Sequence, residues 1–183
     1  MWWNVIYTCH NKPQATLNFF IDRGFRVYTE DLLSSWSAFL RADEEEIRSQ
    51  PAGTKPAETS PAVRAERFVN CNLRHAPDTF DAVLLWDLLD YLDRDAASLV
   101  AAKLSTLVRE NGAILAIFHT RPPAQFQRYR MLDAHNLELV PTPAVVKPQH
   151  VYQNREIQDL FEGFRSSKTF VGRDQLREGV FIK

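Results

Sequence analysis

The residues best suited to chemistry sit directly after two apolar runs. Asp87, Asp90 and Asp93 follow Ala82-Val83-Leu84-Leu85-Trp86 at intervals of three, and His119 follows Ala113-Ile114-Leu115-Ala116-Ile117-Phe118. A histidine in that place would serve as a general base, because its ordinary pKa lies near neutrality. A lone histidine is more often a structural side chain, and both readings stand. Three spaced carboxylates admit a cation, but helix capping by Asp93 and solvation of the other two account for them more simply. Cys9-His10 offers a nucleophile or a metal ligand. No second CxxC or HxxxH completes a metal set, so a loop role is favoured, and no catalytic residue or metal site is assigned. Arg128 and Arg130 alternate with Tyr129 and Met131, as on one face of a strand. With a formal net charge of -1 they are too few to imply nucleic acid.

The elements that must position these groups alternate between strand and helix. Both apolar runs are continuous, as expected of strands covered on both faces. Val5 to Thr8 reads as a short buried strand. Leu17, Phe20 and Ile21 then stand at helical spacing, with Asn11 as a cap, Pro13 in the first turn and Gly24 as the stop. Phe25 to Thr29 is a second strand, parallel to the first. Leu32 to Leu40 reads as helix. Residues 42–62 hold Asp43-Glu44-Glu45-Glu46 and then Pro51, Pro56 and Pro61, and are expected to be a flexible surface connection. Arg67 to Cys71 reads as a third strand.

A helix is expected from Asp93 or Asp95, bearing Leu99, Val100, Leu104, Leu107 and Val108, with Gly112 ending it. Pro122-Pro123 breaks the chain, and Gln127 to Pro141 reads as a hairpin with His135-Asn136 near its turn. Asn154 is expected to cap a helix that carries Ile157, Leu160, Phe161 and Phe164. Lys168 to Val171 and Gly179 to Ile182 should pair antiparallel. The fold class is therefore α/β: a doubly wound, mostly parallel sheet of about seven strands with a C-terminal antiparallel hairpin, in one domain over residues 1–183.

The bulk composition agrees with a globular chain. Of 183 residues, 45% are hydrophobic and 25% charged, enough for one substantial core. No apolar run reaches the roughly 20 residues of a membrane span, so membrane insertion is not expected. Met1-Trp2-Trp3-Asn4 lacks the basic and apolar regions of a leader, and a cytoplasmic location is the expectation. Two cysteines, Cys9 and Cys71, do not make a disulfide framework.

Two segments carry a family likeness. Asp78-Thr79-Phe80-Asp81-Ala82-Val83-Leu84-Leu85-Trp86-Asp87-Leu88-Leu89-Asp90-Tyr91-Leu92 resembles the fourth strand and following loop of class I S-adenosylmethionine-dependent methyltransferases. Leu107-Val108-Arg109-Glu110-Asn111-Gly112-Ala113-Ile114-Leu115-Ala116-Ile117 is similar to that family's entry into its fifth strand. The resemblance implies a Rossmann-like fold. It also implies that Glu30 takes the ribose hydroxyls of the cofactor, with Asp31 next to it, and that Asn72 faces the adenine amino group. Trp86, Asp87 and His119 would line the substrate side.

Two departures from the family pattern bear on function. The family's first strand ends in an acid and a glycine-rich loop, where the backbone approaches the cofactor more closely than a β-carbon permits. Here Tyr7 replaces the acid and Cys9 the first glycine, and His10-Asn11-Lys12-Pro13-Gln14 fill the rest. The sequence also opens at the first strand, which would leave one sheet face uncovered. Trp2 and Trp3 would then contact a protein partner or pack on the domain itself. The expectation is a methyltransferase-like domain without cofactor that does not methylate and serves as a binding or structural subunit of a larger assembly. The alternative is an active methyltransferase that holds S-adenosylmethionine through Glu30 and Asn72 with an altered loop. Methyl transfer needs mainly in-line positioning, so a missing catalytic motif does not decide between them.

Overall fold

In the computed structural model, residues 3–8, 14–49, 60–143, 146–172 and 174–183 are described. Among them are eight strands: β1 (Trp3–Thr8), β2 (Phe25–Glu30), β3 (Phe80–Trp86), β4 (Val108–His119), β5 (Gln127–Met131), β6 (Leu137–Pro141), β7 (Ser166–Val171) and β8 (Leu176–Ile182). The helices are α1 (Gln14–Ile21), α2 (Leu32–Ser49), α3 (Pro61–Asn72), α4 (Arg94–Leu107) and α5 (Asn154–Leu160), with a 3₁₀ turn over Leu88–Tyr91. Six strands form one sheet in the order β2-β1-β3-β4-β8-β7, and β5 and β6 form a separate hairpin. β1, β2, β3 and β4 pair in parallel, while β8 joins β4 antiparallel and β7 joins β8 antiparallel.

The expected third strand is a helix. Arg67 to Cys71 belongs to α3, where Ala65, Phe68 and Val69 are buried at i, i+3 and i+4. Ser60 starts that helix by accepting a hydrogen bond from the Val63 N–H, and Pro61 is its first residue, where a missing N–H costs nothing. Helical burial of those three side chains against α4 and the sheet outweighs the local strand preference of Phe68-Val69. β2 is therefore the sheet's edge, and the sheet has six strands.

The flexible connection is corrected with it. Residues 42–49 complete α2 and α3 begins at Pro61, leaving 50–59 outside the described residues. Asp43, expected in that surface connection, is buried and ion-paired with Arg64 and Arg67 of α3. Cys71 is an exposed free thiol on a helix; Cys9 lies outside the described residues.

Other boundaries shift by a turn. α4 begins as expected, with the Asp93 carboxylate accepting from the Ala96 N–H at 2.9 Å, but it ends at Leu107. Gly112 lies inside β4, in the stretch that loops out between the pairs Phe80–Val108 and Ala82–Ala113. A β-carbon there would stand 2.9 Å from the carbonyl oxygens of Asp81 and Arg109. Gly24 stops α1 with φ +80°, as expected of a left-handed helix end. Gln153, not Asn154, precedes α5, and its N–H donates to Glu156.

The sheet's faces are unequally covered. Ile6, Val83, Leu85, Ile114, Ala116, Phe118 and Phe181 are sealed beneath α2, α3, α4 and α5. On the opposite face Val5, Leu84, Trp86 and Ile117 pack under α1 and the β5–β6 hairpin, so that face is not bare at its C-terminal end. Beyond that cover Ala82, Ala113, Leu115, Val180 and Ile182 are only half-buried, and Trp3 and Phe170 are 53% and 60% exposed. Among the described residues no helix is long and apolar enough to cross a membrane.

Candidate functional site

The strand order reverses between β1 and β3: the chain leaves β1 toward β2 and returns on β1's other side. In open α/β sheets the crevice at that reversal, beyond the strand C-termini, is where ligands bind. Here it is bounded by Thr8 at the end of β1 and Trp86-Asp87 at the end of β3. The Thr8 hydroxyl lies 3.0 Å and 3.2 Å from the carbonyls of Leu84 and Leu85, tying the two strands together at the crevice floor.

Trp86, Asp87 and His119, expected on the substrate side, do come together. Trp86 has φ +48°, a left-handed conformation that strains a bulky residue, and its ring stacks on Tyr129 of β5 at 5.1 Å and 3°. The Tyr129 hydroxyl donates to Asp87 at 3.1 Å. His119 lies between two carboxylates. Its Nδ1 is 2.9 Å from Asp90, which also accepts the His119 backbone N–H at 2.7 Å, and its Nε2 is 3.7 Å from Asp87. All five side chains are buried.

Burial sets the electrostatics of this cluster. It pushes the Asp87 carboxyl up to about 7, helped by the neighbouring Asp90 and opposed by His119 and the Tyr129 hydrogen bond. Burial likewise raises Asp90, against its bonds to His119. The His119 imidazole would be lowered by burial, but the hydrogen bond to Asp90 and the charges of Asp87 and Asp90 outweigh this and raise it. The three groups therefore titrate as one coupled set, with the imidazole hydrogen-bonded to the Asp90 carboxyl and facing that of Asp87.

Each of the three residues expected at the cofactor makes a contact of its own within the protein. Glu30 ends β2 and bonds His75 Nε2 at 3.1 Å, with Tyr28 and Phe80 edge-on to the His75 ring. Asp31 starts α2 by accepting from the Ser34 N–H at 3.0 Å. Asn72 is the last residue of α3 rather than a residue following a strand, and its amide donates to the Phe68 carbonyl at 2.9 Å. The glycine-free turn at 9–13, Trp2 and the Tyr7 side chain lie outside the described residues.

Asp90 and Tyr129 complete the cluster, and neither was assigned from the sequence. The interval Asp87-x-x-Asp90 was visible, but only the turn at Leu88–Tyr91 aims both carboxylates at one imidazole. Tyr129 showed only as one residue of an alternating strand, and His75 carried no signal at all. Among the described residues no group of three potential metal ligands occurs. A cleft of about 580 Å³ opens beyond His119, lined by Arg121, Pro123, Gln127 and Gln175 among others.

A mostly parallel six-stranded sheet closed by an antiparallel strand pair, with its crevice at the β1–β3 reversal, is the Rossmann-like fold of S-adenosylmethionine-dependent methyltransferases. Solved structures share it over nearly the whole chain. An S-adenosylmethionine-dependent methyltransferase of Mesorhizobium loti matches 99% of this chain and 90% of its own at 11% identity and TM-score 0.51. The PH0226 protein of Pyrococcus horikoshii matches 98% and 81% at 14% identity and TM-score 0.51. A protein of Nostoc punctiforme described as a putative O-methyltransferase matches 99% and 52% at 15% identity and TM-score 0.50. At such identities the likeness is one of fold. No family model matches the chain, and no curated protein matches its sequence.

Proposed function

We propose that this chain is a methyltransferase-fold domain that does not methylate and serves as a protein-binding or structural subunit of a larger assembly. One observation supports it above the rest: the residues in the family's cofactor and substrate positions are already engaged inside the protein. Glu30 holds His75, Asp31 caps α2, Asn72 donates to α3, and Asp87 and His119 are locked with Asp90 and Tyr129. A ribose diol and an adenine amino group need open acceptors. Glu30 already shares one carboxylate oxygen with His75, and Asn72 ends a helix instead of following a strand, which argues against their use as that acceptor set, so no step through the cofactor is derived. Partner binding is assigned to the half-covered sheet face, where exposed Trp3 and Phe170 flank half-buried Leu115 and Val180.

Calorimetric titration of the full chain with S-adenosylmethionine tests the first half. No binding is expected at concentrations up to roughly 100 µM. A Kd below that, about 5.5 kcal/mol of binding free energy, would sink the reading. The second half predicts that a fluorescent apolar dye binds the isolated chain and that Trp3→Ser with Phe170→Ser removes most of that binding.

An active methyltransferase is the second reading, favoured by the His119 cluster with its open cleft on the far side. In that case His119 would take the proton of an acceptor group presented from the cleft, using the raised basicity that Asp90 gives it.

A further inference from the structure

The β5–β6 hairpin lies across the crevice and is tied down on both sides of it. On the β3 side Tyr129 stacks on Trp86 and donates to Asp87. On the β1 side the Met131 N–H donates to the Thr16 hydroxyl of α1, the helix that follows β1, at 3.0 Å. Thr16 is fully buried and Tyr129 nearly so. The tie on the β3 side has the form of a ligand contact: a planar ring face to face with an indole, and one donor aimed at a buried carboxyl. The strained backbone at Trp86 is what presents that indole.

We infer that Trp86 and Asp87 form a subsite for a planar aromatic ring bearing a hydrogen-bond donor, such as a phenol, and that Tyr129 is its resident occupant on a hairpin that acts as a lid. With the lid shut, the ring site is filled from within. Lifting it breaks the Tyr129–Asp87 and Met131–Thr16 hydrogen bonds, the stack on Trp86 and the apolar packing of Met131 and Leu139 on the face below, while leaving the six-stranded sheet intact, because among the described residues β5 and β6 pair with each other and not with that sheet. An external ring therefore competes with a tethered one, and its apparent affinity falls by the fraction of time the lid is open. Trp86 and Asp87 stand at the end of β3 and Glu30 at the end of β2, so ring binding and cofactor binding are read by separate titrations.

The test uses the full chain with p-cresol, which is the tyrosine side chain as a free molecule, and toluene, which lacks the hydroxyl. In Tyr129→Ala the vacated subsite is expected to take p-cresol, raising the melting temperature by several degrees more than toluene at equal concentration. Adding Asp87→Asn should remove most of that difference. Thr16→Val keeps Tyr129 but removes the acceptor of the second tie. It is expected to bind p-cresol about tenfold more tightly than the wild-type chain by tryptophan fluorescence, the scale of one lost buried hydrogen bond in the closed state. Equal stabilisation of Tyr129→Ala by p-cresol and toluene would show a mere cavity and overturn the subsite. Identical binding by Thr16→Val and wild type would overturn the lid. Should Tyr129→Ala fail to fold, the Thr16→Val comparison, repeated with toluene, still decides both.

Discussion

At the scale of single residues, the decisive group is His119 between Asp90 and Asp87. Removing it leaves two buried carboxyls facing each other. His119→Leu is expected to cost about 3 kcal/mol or more, the usual penalty for stripping one partner from a buried pair, measured by urea denaturation at neutral pH. The same cluster fixes how stability depends on pH. Asp87 has a folded pKa of about 7 against an unfolded value of 3.8, so the folded chain binds the proton more tightly. Its contribution is greatest below about pH 4 and is lost as pH rises through 7. The raised Asp90 works in the same direction. The raised His119 adds stability that is complete below 6.5 and lost as pH climbs through its higher folded value. The urea midpoint should therefore be higher at pH 5.5 than at pH 8.0, against the habit of proteins whose carboxylates are depressed. Asp87→Asn should flatten that difference, and an unchanged slope in this variant would mean the titrating group lies elsewhere.

At the scale of elements, two junctions set the geometry. Gly112 lets β4 loop out against β3 before the two strands run in register. Its missing side chain is required by backbone atoms, those of Asp81 and Arg109, which cannot rotate away. Gly112→Ala is expected to cost about 1–3 kcal/mol by overpacking, read as a lowered melting temperature with the secondary structure retained in circular dichroism. Asp93 is the cap that starts α4 and so fixes where the turn at Leu88–Tyr91 ends and where Asp90 points. Asp93→Ala should cost about 1 kcal/mol in urea midpoint. It should also narrow the gap in urea midpoint between pH 5.5 and 8.0, because Asp90 loses its fixed aim. A purely local effect on α4 would leave that gap unchanged.

At the scale of the whole molecule, one asymmetry stands out. One sheet face is sealed by four helices, while the other is covered at the crevice end and half-open beyond it. Trp3, whose ring lies 5.2 Å from the Arg109 guanidinium, and Phe170 mark the ends of the open part. If this face is the docking surface, Trp3→Ser with Phe170→Ser should leave the melting temperature nearly unchanged while removing most of the dye binding, since neither side chain contributes to the sealed core. A large loss of stability would mean that the two residues pack on the domain and that the partner surface lies elsewhere.

The sequence by itself determined the class of fold. Continuous apolar runs at Ala82–Trp86 and Ala113–Phe118, the helical spacing that begins at Asp93 and the closing strand pair all act through local periodicity, and each element is present, although the helix ends at Leu107 and not at Gly112. It also placed Trp86, Asp87 and His119 at strand ends, which suffices to bring them to one edge of the sheet. Only the tertiary structure decided that Arg67 to Cys71 is helix, because the burial of Phe68 and Val69 against α4 is a long-range gain that outweighs local preference. Only it joined Asp90 to His119 and laid Tyr129 on Trp86, across 29 and 43 residues of chain, since side-chain aim at a crevice depends on how strands, turn and hairpin meet.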